Sequence, residues 1–170
     1  MKKTGLIFVS LLLFGGLMSG CEEIKDATDI TYTITYSKDF TIDENLTTYF
    51  RDLDLNESDD YRKYKGNIRD IEIEYVRYSI TSNTGGGGLA NLYAGPYGGN
   101  FASATIVAGP ISFAAFEPRP LTDVAVLNKD YFENLLTTGQ MRAWAVAEGT
   151  NVHLTLHVEL KVKVVVNVFE

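Results

Sequence analysis

From Val152 to Val168 every even position is apolar: Val152, Leu154, Leu156, Val158, Leu160, Val162, Val164, Val166 and Val168. His153, Thr155, His157, Glu159, Lys161 and Lys163 stand between them. A period of two puts one set on one face of a β-strand and the other set on the opposite face. A helix cannot present such a run, because its apolar positions recur every three or four residues. The run therefore predicts a strand with one face in the core and one in water. At about 3.3 Å per residue it would be close to 60 Å long if straight, beyond an ordinary strand, so it is expected to bend or to serve two sheets.

The same period governs most of the chain. Ile30, Tyr32, Ile34 and Tyr36 alternate with Thr31, Thr33 and Thr35, and Phe40 and Ile42 flank Thr41. Tyr49 to Leu55 carries Leu53 and Leu55 between Asp52 and Asp54. Ile71 and Ile73 alternate with Glu72 and Glu74, and the apolar parity then shifts at Tyr75 and Val76, as a β-bulge requires. Phe101 to Phe116 reads as a pair of strand segments broken at Gly109-Pro110, and Met141 to Ala147 as a strand joined to the last run by a hairpin turn at Glu148-Gly149-Thr150-Asn151. Two short helices fit between strands. Ser58 is placed to cap Asp59 to Lys65, and Asn128 to cap Lys129 to Thr137 ahead of Gly139. Seven or eight strands at this spacing, with no internal repeat, predict an all-β fold: an antiparallel β-sandwich, immunoglobulin-like, with one or two short helices, over residues 30–170.

The first residues have a different character. Lys2 and Lys3 precede an apolar run from Leu6 to Met18, and Leu17-Met18-Ser19-Gly20-Cys21 closes it at the only cysteine. This resembles a bacterial lipoprotein signal with its lipobox. The resemblance implies that residues 1–20 are a signal peptide, that Cys21 is acylated, and that the protein is held in the membrane by lipid. The apolar run is too short for a bilayer, which takes about 20 apolar residues. Residues 21–29 read as an acidic tether, Glu22-Glu23-Ile24-Lys25-Asp26-Ala27-Thr28-Asp29 following the cysteine. The acidic pair resembles the surface-export signal of lipoproteins in the Bacteroidota. Together with the strand-rich body it makes the chain similar to the small lipoproteins of that group, which implies an outer-membrane location with possible exposure at the cell surface.

Loss of Lys2 and Lys3 would take the formal charge from −7 to −9. An acidic body argues against nucleic acid and anionic lipid as partners, since both repel it. With no cysteine beyond Cys21, no disulfide can form within the body, and burial must hold it together.

Candidate sites are few. His153, His157 and Glu159 share a strand face, but same-face neighbours lie about 6.6 Å apart at Cα, too far for one zinc ion to be chelated by them alone. Asp52-Leu53-Asp54-Leu55-Asn56 resembles the opening of a calcium loop, yet Glu57 stands where glycine is needed and Lys63 where the bidentate glutamate belongs. Neither motif predicts a metal, and no cofactor is expected. The stretch Gly85-Gly86-Gly87-Gly88 through Gly95-Pro96-Tyr97-Gly98-Gly99 lacks the cation and the following helix of a phosphate loop. It reads as an inter-strand loop whose Tyr93 and Tyr97 either cover the sandwich edge or bind a ligand by stacking. Trp144 shares a parity with Arg142 and Val146, where core packing and ligand stacking both explain it. No nucleophile elbow accompanies the two histidines, so no catalytic residue is assigned.

The sequence thus predicts a non-enzymatic lipoprotein that binds a protein or contributes structurally to the envelope, anchored through Cys21. A surface glycan-binding accessory using Tyr93 and Tyr97 is the alternative reading. A hydrolase with carboxylates assembled only in three dimensions ranks below both.

Overall fold

The computed structural model describes residues 29–43 and 48–167. Cys21, the signal, most of the tether and Val168 lie outside the described residues. The described chain is an antiparallel sandwich of eight strands: β1 (Asp29–Ile42), β2 (Thr48–Asp54), β3 (Ile68–Asn83), β4 (Gly88–Pro96), β5 (Thr105–Phe113), β6 (Arg119–Val124), β7 (Gln140–Gly149) and β8 (Leu154–Asn167). Two helices join them, α1 (Asp59–Tyr64) between β2 and β3 and α2 (Lys129–Thr137) between β6 and β7.

One sheet has the order β1-β8-β3-β6 and the other β2-β7-β4-β5. Successive strands therefore switch sheets, except at β4–β5, and the two sheets interleave as a double Greek key. The antiparallel sandwich with two short helices stands as the sequence predicts. Within it the strand order is that of a jelly roll rather than of an immunoglobulin-like domain.

β8 explains the choice. It lies in the first sheet between β1 and β3, and pairs with both along nearly its whole length. Leu154, Leu156, Leu160, Val162, Val164 and Val166 are buried against the second sheet. Each such side chain stabilises the fold by about 1.5–3 kcal/mol relative to exposure. Val158 departs from the pattern and is only half-buried. On the other face Lys161 pairs with Glu74 at 2.7 Å and Lys163 with Glu72 at 3.1 Å. The long run thus stays in one sheet, and three register shifts in β3 accommodate the twist, one of them between Ile73 and Tyr75 where the sequence parity breaks.

Three local expectations are corrected. β7 and β8 belong to different sheets, so Glu148 to Asn151 is a crossover and not a hairpin turn; Asn151 takes φ 54° there to turn the chain between layers. Asn128 precedes α2 with φ 48° and makes no side-chain cap; its amide donates to Ile106 O at 2.9 Å. Ser58 does cap α1, accepting from Tyr61 N at 3.4 Å.

The third correction is the glycine-rich stretch, much of which is β4, hydrogen-bonded between β7 and β5 in the interior of the second sheet. Its glycines permit close backbone approach. A Cβ on Gly86 would lie 2.1 Å from Thr150 O and one on Gly88 2.1 Å from Glu148 O. Gly86 N donates to Asn151 O at 2.6 Å, tying this segment to the crossover.

Candidate functional site

The outer faces of the two sheets differ in chemistry. The first is polar and laced with ion pairs, among them Arg77–Asp123 at 2.6 Å and Lys161–Glu74 at 2.7 Å, with a His157–Asp39 hydrogen bond at 2.7 Å beside them. The second is aromatic. Register places Phe50 of β2 opposite Trp144 of β7, and Trp144 opposite Tyr93 of β4, so three rings cross the sheet side by side. Met141, Ala145 and Ala147 of β7 are buried on the inward parity, which leaves Arg142, Trp144 and Val146 for the outer face.

Trp144 is nevertheless buried, with 3% of its surface exposed. Gly95 makes room for it, because a Cβ there would stand 3.2 Å from the indole. Phe101, in the 3-10 turn Phe101–Ser103, folds back over the face and packs edge-on against Tyr93 at 5.1 Å and Trp144 at 6.1 Å between ring centres. Phe50 at 48%, Phe101 at 41% and Tyr97 at 53% exposure are the open rings of the patch.

Arg142 fixes this surface. Its Nε and Nη2 donate to the Asp52 carboxylate at 2.6 and 2.9 Å, and its Nη1 donates to Gly99 O at 3.1 Å. The guanidinium also stacks on Phe50, 4.3 Å from the ring centre. One side chain thus ties β2, β7 and the turn that carries Tyr97 together, a planar fork that lysine could not reproduce. The hydrogen bond from Arg142 holds Asp52 below its ordinary carboxylate pKa, against the smaller opposing effect of burial. Asp54, at the end of β2, is likewise lowered, chiefly by the hydrogen bond from Gln140.

The predicted site residues fall as follows. Tyr93 lies on β4 and is half-covered by Phe101, whereas Tyr97 projects from the turn after β4. They share the face, but the loop expected to carry both is largely strand. The acidic residues of the calcium-like segment are engaged within the protein: Asp52 by Arg142, and Asp54 by Asn56 N at 2.8 Å and Gln140 Nε2 at 2.8 Å. His157 meets Asp39 on β1, while His153 lies before β8 at the other side of the crossover. No group of three or more metal-ligating side chains occurs among the described residues. Cys21 lies outside the described residues. Sequence reasoning missed Phe50 and Phe101 as members of the patch. The parity that joins Trp144 to Arg142 was visible, but the pairing of β7 with β2 and β4 was not.

No protein-family description and no curated protein matches the chain. Among solved structures, a chain of Desmodium yellow mottle tymovirus aligns over 83% of this chain and 91% of its own, at 10% identity and a TM-score of 0.31. The decameric BFDV capsid protein aligns over 80% of this chain and 98% of its own, at 10% identity and a TM-score of 0.35. The infectious bursal disease virus Gx strain structure aligns over 84% of this chain but 34% of its own, at 14% identity and a TM-score of 0.32.

Proposed function

We propose that the chain is a lipid-anchored outer-membrane lipoprotein whose jelly-roll body is a non-catalytic module that docks an envelope protein. The observation that carries this reading is the aromatic outer face of the second sheet, where Phe50, Phe101 and Tyr97 stay open around a buried Trp144 and a fixed Arg142. Aromatic residues and arginine are what protein interfaces concentrate at their centres. A contiguous patch of this kind on a soluble face marks an interaction site.

A protein partner fits better than a glycan. Sugar recognition wants a flat open ring beside free polar groups, but Trp144 is sealed under Phe101, and the hydrogen bonds of Arg142 and Asp52 are spent on each other and on Gly99. Phenylalanine, moreover, offers a sugar no hydrogen bond. The same pairing removes the charged groups nearest the patch from acid–base work, which supports the non-enzymatic reading.

The test is cross-linking in cells followed by purification of the envelope complex, comparing wild type with Phe50→Ser plus Tyr97→Ser. Both side chains are open, so the melting temperature should hold within a few degrees. Capture of the partner should fall at least about tenfold, as expected when interface anchors worth about 2 kcal/mol or more are truncated. Undiminished capture by the double variant, or a polysaccharide that binds wild type and is lost in the variant, would overturn the protein-docking reading.

A further inference from the structure

Lys38 breaks the pattern of β1, for it occupies a core-facing position between the buried Tyr36 and Phe40. Its register partner on β8 is Val158, the half-buried exception on that strand. Both line a cavity of about 40 Å³ between the sheets, whose other walls are almost wholly apolar. The second sheet contributes Ala94, Ala108 and Ala143 beside Leu53, Leu92 and Met141, and the three alanines leave room there. Ala143 is also half-exposed, and its register partner on β2 is Arg51, again a cation at a core-facing position, between Tyr49 and the buried Leu53. The half-exposed Val158 and Ala143 thus each have a cation as register partner, on β1 and on β2, in a protein of net charge −7.

We propose that this cavity binds a small amphiphilic anion, a monocarboxylate whose tail enters between the sheets while its head pairs with Lys38. The volume sets the size. A water needs about 10–15 Å³ of this measure and fills about 30 Å³ of liquid, so the space takes roughly three water volumes, the bulk of a chain of about three to five carbons. An apolar cavity of this sort stays dry and accepts apolar matter. Among the described residues Lys38 has a loose partner, Glu57 Oε2 at 3.9 Å, on a side chain that is itself 65% exposed. An incoming carboxylate can replace Glu57 without stripping a tight ion pair. The site is on the inner faces of the sandwich and shares only Tyr93 of its lining with the aromatic docking face.

The experiment is an NMR titration of the full chain carrying Cys21→Ser, which has no acyl group to compete, with hexanoate, 1-hexanol and acetate as probes. Hexanoate should move the amide signals of Ala94, Ala108, Ala143 and Val158 in a saturable way, whereas acetate, which lacks a tail, should not. Lys38→Met should weaken hexanoate about tenfold and leave 1-hexanol unchanged, because it removes the charge and keeps the stem. Ala143→Leu should fill the space and abolish binding of both. Should that variant fail to fold, Glu57→Gln decides instead, since freeing Lys38 should tighten hexanoate. Hexanoate shifts that are absent in wild type, equal affinity in Lys38→Met, or no tightening in Glu57→Gln would each overturn the proposal.

Discussion

At the scale of single residues, the Asp52–Arg142 pair carries a pH signature. A carboxylate held below its ordinary pKa contributes stability that is present in full above its unfolded value and lost as pH falls through the lower folded value. Asp52 is shifted in that sense, mainly by the hydrogen bond from Arg142, from an ordinary value of 3.8. Asp54 is shifted the same way by Gln140 and Asn56. The melting temperature of the wild type should therefore decline as pH is lowered below about 4. Asp52→Asn should start lower at neutral pH and decline less steeply, since one of the responding groups is gone. Thermal melts across pH 6 to 3, a range around the usual carboxylate pKa, measure both slopes. Equal slopes would show that the pair is too well solvated to matter, the ordinary fate of exposed ion pairs. Asp52 was legible in the sequence as an outward residue on a strand. Its partner was not, because the two lie 90 residues apart and only the β2–β7 pairing brings them together.

At the scale of elements, legibility followed parity. Most of β1 and β8 alternates as the sequence predicts, β7 does not because Trp144 and Ala145 are both buried, and the bulge in β3 matches the shift at Tyr75 and Val76. β6 was missed because Arg119–Val124 buries none of its side chains and contains Pro120, so no apolar rhythm marks it. β4 escapes notice for another reason: of its inner residues Ala90, Leu92 and Ala94, only Leu92 is large, so no apolar rhythm stands out among the glycines. Those glycines then read as looseness, although the crossover at Thr150 and Asn151 presses directly against them. This separates two substitutions of the same type. Gly86→Ala drives a methyl into Thr150 O and should cost about 2 kcal/mol or more, as strain at a packed backbone does. Gly66→Ala, with nothing within 4 Å, should stay within about 0.5 kcal/mol of wild type. Denaturant unfolding of the two variants checks the difference, and similar midpoints would mean that the glycine-rich segment does not hold the crossover.

At the scale of the whole molecule, the proposed anchor and the sandwich meet at the start of β1. That strand begins at Asp29, eight residues after Cys21, and pairs at once with Asn167 at the far end of β8. Eight extended residues span about 26–29 Å, so a lipid on Cys21 would hold this end of the sandwich just clear of the head groups. No helix among the described residues is long and apolar enough to cross a membrane. Two acyl chains give stable attachment where one gives only marginal binding, because each buried methylene contributes about 0.8 kcal/mol. The acidic body adds nothing to that hold, since anionic head groups repel it. Cys21→Ser should therefore move the protein from the membrane fraction to the soluble fraction with its sandwich intact, and circular dichroism of the released protein should match the wild type. A serine variant that still pellets and resists carbonate extraction would place the anchor elsewhere in the chain and remove the lipoprotein reading.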